Sequence, residues 1–522
     1  VNTSPRLKRI WQSFTSPRVL FIAILLIGVA ARLWEFGSLP PGLNQDEASI
    51  GVEASSLFHF GVDRNGLAYP VHFISWGSGQ NTLYAYLLLP FMIFGLNPLT
   101  VRLPMLLIGI LSLPLLYLAA KPIGGRNFAL ISMFLLAISP WHIILSRWGL
   151  ESNVLPFVFL ASFAALVRAR PNNADFIAAT LGLALCLYAY GTAYAAVPVF
   201  LALAILILLS YKRLRFKQLL IGLTAFGVVA LPIGLFVLVN TLQWETLRLG
   251  PISIPRLPVL PRFQTMSALF SDHANAALSG NLQIMFDLLY KQTDGLIWNT
   301  LNPYGYFYAI TFPVAVLGAV LLVPWRAAKN AAERWLLLAW LAAALVVGLL
   351  QPVNINRLNL IFIPLLLCLA AVLLWLNDHF KPGFLIAICL LCVGFAAFTR
   401  DYHAEAYRHS ADGPFFAGLL PAIEFARQAG PGPICVTGKT NMPYIFVLFS
   451  EQLDPARYLN DLVYVNPEGE FRRVLSFGRY TFGLSHCAHL PGTIYLLSPT
   501  DTYVVGKSYT LTNFDRFRVY TP

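Results

Sequence analysis

Charge is scarce in this 522-residue chain. Asp, Glu, Lys and Arg make up 11% of it, against roughly 25% in an ordinary soluble domain. That shortfall excludes a disordered chain, a coiled coil and a typical soluble enzyme. Cysteine is also sparse, at six residues. Cys186, Cys368, Cys389 and Cys392 fall in apolar stretches and read as packing residues. Cys435 and Cys487 lie in the C-terminal tail and can pair if that tail is outside the cytoplasm. The missing motifs are equally informative. There is no GxxxxGK[ST] loop, no HExxH and no paired CxxC set. No long run of intramembrane carboxylates resembles a proton relay. ATP hydrolysis and zinc proteolysis are set aside on these grounds. No fixed-period repeat, low-complexity tract or inverted-repeat signature is present.

Apolar residues are abundant instead, at 57%, and they come in long runs. The pattern reads as an all-α polytopic membrane protein. The net charge of +12 invites a nucleic-acid reading, but its distribution opposes one. Residues 1–400 hold 26 Lys/Arg and 13 Asp/Glu, whereas 401–522 hold 10 and 11. The excess sits in the membrane part, where loop charges set orientation. No nucleic-acid partner is expected; the bilayer is.

The first apolar segment, 18–36, follows Arg6, Lys8, Arg9 and Arg18. This basic flank places the N-terminus in the cytoplasm, and the further spans mark an uncleaved first helix. Val1 as first residue fits a non-AUG bacterial start or a trimmed chain. The stretch 37–99 is placed outside, partly as surface helices. Within it 82–96 is short for a span, and Gly95, Asn97 and Pro98 end it. Further spans are expected near 100–120, 127–142, 154–168, 175–190, 194–211, 218–239, 305–324, 335–350, 358–376 and 383–399. The loops then alternate in charge. Lys121/Arg126, Arg168/Arg170, Lys212/Arg213/Arg215/Lys217, Arg326/Lys329/Arg334 and Lys381 fall on the cytoplasmic side. A full span at 82–96 would invert every later loop. About eleven spans follow, in a module covering 1–399 with external loops at 37–99 and 240–304. The tail, 400–522, reads as a small extracytoplasmic α/β domain. It has an amphipathic helix near 414–429 and strands at 434–438 and 493–497.

Ionisable groups where membrane meets external water are the candidates for chemistry. Asp46-Glu47 follows the turn-forming Pro40-Pro41-Gly42. Two adjacent carboxylates can act as general base, share a proton or hold a metal; they can equally begin a capped helix. A second group is His142, Arg147 and Glu151, in the turn between two spans. Arg147 and Glu151, four apart, can simply pair, but interfacial ions are functional hypotheses, and the Arg fork suits phosphate. Arg357, in Asn354-Ile355-Asn356-Arg357, is a third candidate or an interface anchor. A fourth group is Arg64, His72 and Trp76-Gly77-Ser78-Gly79-Gln80, whose glycines let backbone approach a ligand. Tyr190 reads as an aromatic-belt residue, and Lys291 and Asp294 as loop charges, each a secondary candidate for substrate contact.

In this order, several short motifs resemble the GT-C glycosyltransferases, closest to the bacterial branch related to protein O-mannosyltransferases and lipid A aminoarabinose transferases. They are Asp46-Glu47, Val101-Arg102-Leu103-Pro104, Gly124-Gly125-Arg126 and Ile138-Ser139-Pro140-Trp141-His142 through Ser146-Arg147 to Glu151. The resemblance covers 18–240 well, 241–400 loosely and the tail poorly. It implies a GT-C fold and a polyprenyl-phosphate sugar donor used on the external, periplasmic face of the inner membrane. It implies as acceptor a hydroxyl of a glycan, lipid or protein. It implies Asp46 as the acidic residue that is the usual catalytic candidate, with Glu47 beside it and Glu151 in the next external loop, where many relatives carry Asp. The aminoarabinose transferases use a Lys-Pro-Pro-like segment near the donor phosphate; this chain has Ser78-Gly79-Gln80 there. Phosphate neutralisation then falls to Arg147 and Arg357, with His142 and Arg64 in support. His72, Gln80, Tyr190, Lys291 and Asp294 are the remaining substrate-contact candidates. Hard carboxylates at Asp46 and Glu151 suit Mg²⁺ or Mn²⁺, and relatives differ in metal use. The competing readings are a polyprenyl-linked glycan transporter or flippase, and an O-antigen ligase-like enzyme.

Overall fold

The computed structural model describes residues 16–522 apart from 260–267, 269–272, 325–327, 489 and 503–507. Arg6, Lys8, Arg9 and Arg326 of the charge argument lie outside the described residues. Helix Pro17–Leu33 is capped by the Ser16 hydroxyl and has proline at its first position, where a missing N–H costs nothing. The stretch after it forms helix Gln45–Phe60, a hairpin pairing His72–Phe73 with Gln80–Asn81, and the short helix Leu83–Leu88. A 3₁₀ turn, Leu89–Phe94, continues that last helix through Pro90. Together these twelve residues reach about 20 Å, well under a hydrocarbon core of roughly 30 Å.

Six described helices are long and apolar enough to cross a membrane: Pro98–Ile138, Ala193–Ser210, Phe216–Thr241, Ala331–Leu350, Asn359–His379 and Lys381–Tyr402. Glu151–Leu166, Asp175–Ala189 and Thr311–Leu322 are shorter apolar helices packed among them. The expected spans 100–120 and 127–142 form one element, Pro98–Ile138, divided at Gly125. Gly125 has φ 80° and ψ −170°, a conformation that costs glycine little. Burial separates centre from rim. In the apolar stretch of Asn359–His379 83% of the residues are buried, whereas in that of Lys381–Tyr402 11% are. Leu385, Ile386, Leu390 and Val393 on the latter are exposed, as a lipid-facing helix requires.

One end of the helical bundle gathers basic loops. Glu333 accepts from Arg170 at 3.3 Å and from Arg213 at 2.6 and 3.1 Å. Gln218 donates to the carbonyls of Arg170 and Asn173. Loops expected on one side of the membrane therefore meet in space. The opposite end carries Asn44, Trp148 and Arg357, and against it sits the tail.

The tail contains a seven-stranded sheet. Its order is Thr510–Phe514, Phe517–Thr521, Ile494–Leu497, Ile434–Val436, Tyr480–Phe482, Val474–Phe477, Val463–Tyr464. The central strand Ile434–Val436 is parallel to both neighbours and buried throughout, which is why it is wholly apolar in character. Helix Leu419–Gln428 packs on strands Ile494–Leu497, Thr510–Phe514 and Phe517–Thr521 and on helix Pro443–Glu451, which packs in turn on helix Gln45–Phe60. Cys435 and Cys487 form a disulfide.

Candidate active site

Helix Gln45–Phe60 begins with a capping box. Asn44 Oδ1 accepts from the Asp46 N–H at 3.0 Å, and the Asn44 N–H donates to Glu47 Oε2 at 3.1 Å. Successive helix residues diverge by about 100°, so the two neighbouring carboxylates part company. Glu47 turns inward and is fully buried. Arg102 donates to it from Nε and a terminal nitrogen, both at 2.9 Å, and the Gly149 N–H donates at 2.8 Å. Arg102 also holds the carbonyls of Pro40 and Gly42. Glu47 is thus the knot joining the first loop, the long helix and the 148–151 turn. Asp46 is half-buried and lines a cavity of about 530 Å³.

That cavity also collects Glu151, Gln80, Tyr190 and Arg357 from four separate segments. Both carboxylates, Asp46 and Glu151, sit in the first turn of a helix, where the aligned peptide dipoles favour negative charge. Arg357 uses one guanidinium nitrogen on the Pro352 carbonyl at 3.0 Å. No other hydrogen bond of its guanidinium is present among the described residues. Its loop is set by Asp294: Oδ2 accepts from Asn299 at 2.7 Å and from the Ile355 N–H at 3.0 Å, while Asn299 donates onward to Asn356. Asp294 positions this rim rather than lining it. Gln80 accepts from Ser49 and Ser75 at 2.9 and 3.0 Å.

Other expected residues lie elsewhere, and each placement has a physical reason. Arg147 is fully buried and donates to the carbonyls of Leu39, Ala31 and Arg32. It fastens the end of the first helix and is turned away from the cavity. His142 is buried against Arg32, 2.7 Å from its guanidinium. Lys291 is exposed and pairs with Asp287 one turn away. His72 is buried, stacked on Phe236 at 4.3 Å, and bonded to the Phe73 carbonyl. Burial lowers its pKa to about 4, so it stays neutral and buttresses Gly79, which does line the cavity. Gly79 has φ +91°, and a Cβ there would collide with the His72 ring.

Arg64 is buried too, paired with Glu53 at 3.2 Å and bonded to Ser49. Its guanidinium lies over the rings of Trp76 and Tyr444, and so ties a cavity wall to the tail. Asp63 lies behind it, with Oδ1 accepting the Asn65 and Leu67 N–H groups and Oδ2 buried without a partner. Burial first, and then the charge of Glu53, raise the Asp63 pKa to about 8. Burial likewise raises that of Glu53. One arginine faces two carboxyls, and the one it does not contact keeps its proton.

The tail supplies a further wall. Phe416, Asn441, Met442 and Phe471 line the cavity. Backbone contacts fix them there: Leu43 N–H to the Phe415 carbonyl at 2.7 Å, Arg472 N–H to the Trp76 carbonyl at 2.8 Å, and a bridge between Gly77 and Phe471. The Asn354 and Asn356 contributions were legible only as neighbours of Arg357. Among the described residues, no three His, Cys, Asp or Glu side chains converge on a metal position.

Residues 23–248 match the family model for dolichyl-phosphate-mannose-protein mannosyltransferase. Comparison with curated proteins gave no match. Among solved structures, the chain is similar to ArnT from Cupriavidus metallidurans bound to undecaprenyl phosphate. That likeness has 14% identity and a TM-score of 0.57, over 96% of this chain and 97% of that one. It is similar also to the oligosaccharyltransferase AglB from Archaeoglobus fulgidus, in complex with an inhibitory peptide and a dolichol-phosphate. There the identity is 13% and the TM-score 0.50 over 84% of this chain, which spans 64% of the AglB length. A further structure of that oligosaccharyltransferase is a complex with Zn and sulfate, at 13% identity and TM-score 0.51, over 83% of this chain and 61% of that one. The architecture is therefore the GT-C fold of an integral membrane protein.

Proposed function

We propose that this GT-C-fold membrane protein is an inverting glycosyltransferase. It moves a sugar from a polyprenyl-phosphate donor to an acceptor hydroxyl at the external face. The observation that carries the reading is the meeting of Asp46, Glu151 and Arg357 in one cavity between the bundle end and the tail. An alcohol is a poor nucleophile at neutral pH. Asp46 accepts its proton as the bond to the anomeric carbon forms, a contribution of about 10²–10⁴ in rate. The leaving group is a lipid phosphate. Arg357 faces it with the guanidinium N–H groups not engaged by Pro352, and stabilises charge as it develops. Displacement from the face opposite the phosphate inverts the sugar.

Asp46 and Glu151 are two hard oxygen donors in the same cavity and would be the residues to hold a divalent cation there. A bound divalent ion would supply charge neutralisation at the phosphate. The disulfide in the tail supports an oxidising, extracytoplasmic location for this end of the bundle.

The test is incubation of the purified chain with a panel of short-chain polyprenyl-phosphate sugars and an envelope extract as acceptor. Consumption of one donor with sugar appearing on an acceptor is expected. No donor consumed across the panel, with lipid phosphate still bound and carried across vesicles, would replace this reading with transport.

A further inference from the structure

A second cavity, of about 820 Å³, lies wholly within the tail. Its lining includes Lys439, Arg473 and His486, and no Asp or Glu. Lys439 is already engaged by Asp501 at 3.9 Å and by the Thr500 carbonyl. Arg473 differs. Its backbone N–H is bonded to Asn466, but no side-chain partner for its guanidinium, or for the His486 imidazole, is present among the described residues. Apolar and aromatic walls face these groups, from Phe471, Tyr444 and Phe482. A cationic group beside aromatic faces suits a sugar ring that carries an anion: the ring stacks and the charge is met by a planar fork.

The two cavities are neighbours. Asn441, Met442 and Phe471 line both. Met442 is held in the left-handed conformation, at φ 49°, as the residue before helix Pro443–Glu451. Charge differs between them. Among charged groups the tail cavity is lined by basic ones alone, whereas the bundle cavity holds Asp46 and Glu151 beside Arg357. An anionic group meets Arg473 and no carboxylate in the first, whereas in the second Arg357 is accompanied by two carboxylates. A saccharide with its charged unit in the tail cavity would therefore extend an uncharged, hydroxyl-bearing unit towards Asp46.

We propose that the tail cavity is the acceptor subsite and that the acceptor is an anionic saccharide, bearing carboxylate or phosphate. The inference rests on the transferase reading for its word acceptor, but its test is binding and needs no turnover. The full chain in detergent would be titrated with oligogalacturonide, its methyl ester, a phosphorylated disaccharide and an acidic peptide, by saturation-transfer NMR. The oligogalacturonide, the phosphorylated sugar or both should bind, and which of them binds tells carboxylate from phosphate. The methyl ester should bind at least ~10-fold more weakly, as the loss of one charge-assisted hydrogen bond predicts. Arg473→Ala, at an exposed position, should remove the preference for the anion, and Phe471→Ala should weaken both charged and neutral sugars. Binding of undecaprenyl phosphate should be unchanged in Arg473→Ala. Equal binding of the ester, an undiminished anion preference in Arg473→Ala, or binding of the acidic peptide alone would overturn the proposal. Loss of undecaprenyl phosphate binding by the wild-type chain would instead count against the transferase reading.

Discussion

Glu47 and Arg102 form a bidentate ion pair with both contacts at 2.9 Å and both side chains inaccessible to solvent. The residue before it, Asp46, faces the cavity instead. Two adjacent acids thus have opposite duties. Glu47→Gln leaves Arg102 buried with a weakened partner, and removing one member of such a pair costs about 3–5 kcal/mol. Unfolding in detergent should show the loss for Glu47→Gln and nearly none for Asp46→Asn. Equal stability of the two variants would contradict this division.

The two arginines divide in the same way. Arg147 spends its donors on backbone carbonyls of the first helix and its exit, each bond to a charged group being worth about 1.5–3 kcal/mol. Arg147→Ala should lower the thermal midpoint and leave the affinity of the surviving folded protein for lipid phosphate intact. Arg357→Ala should do the reverse, weakening undecaprenyl phosphate binding by roughly 10-fold or more at little cost in stability.

Asp294 gives a prediction about positioning. Its Oδ2 gathers Asn299 and the Ile355 amide two residues before Arg357. Asp294→Ala should lower donor affinity through Arg357 although Asp294 touches no substrate. Asp294→Asn keeps one acceptor oxygen and should retain part of the affinity. If the alanine variant binds donor as well as wild type does, the loop needs no such support.

A pH dependence follows from Asp63. Its pKa rises to about 8 on folding, by burial and then by the charge of Glu53, from an unfolded value near 3.9. Between those values the folded chain holds a proton that the unfolded chain has released. Stability therefore falls as pH rises from about 4 to 8, by at most about 1.4 kcal/mol per pH unit. Asp63→Asn keeps an acceptor for the Asn65 and Leu67 amides and carries no charge. It should flatten this slope and be the more stable form above pH 8. An unchanged slope in thermal unfolding would show that Asp63 is not its source.

The disulfide ties Cys435, on the central strand, to Cys487 across 52 residues. Its removal by Cys435→Ser with Cys487→Ser should cost about 2–4 kcal/mol in tail stability, seen as earlier proteolysis of the tail than of the bundle. Identical digestion of the two forms would contradict a stabilising role.

Much of this was legible in the sequence. The apolar runs marked the helices of the bundle but not their number as spans: about eleven were expected, and six described helices are long and apolar enough to cross a membrane. Loop charge paired Arg170, Arg213 and Lys329 on one side, and the first two indeed meet at Glu333. Asp46, Glu151 and Arg357 were nominated as ions at the outer interface, and the structure brings them to one cavity. Arg147 and His142 were nominated on the same ground and lie in the interior. Proximity in sequence does not reveal which way a side chain turns, and their partners, backbone carbonyls and Arg32, carry no motif. The division between Asp46 and Glu47 was hidden for the same reason, since Arg102 lies 55 residues away. The tail was least legible. Its share of the cavity depends on backbone pairing of Phe471 and Arg472 with Trp76 and Gly77, which any side chains could make.

The most direct measurement is single-turnover donor consumption by wild type and Asp46→Asn, each checked for folding and for undecaprenyl phosphate binding. With general-base catalysis lost, Asp46→Asn should consume donor about 10²–10⁴ times more slowly while binding lipid phosphate as wild type does. Near wild-type consumption by the folded variant would contradict the assignment of Asp46 and the mechanism built on it.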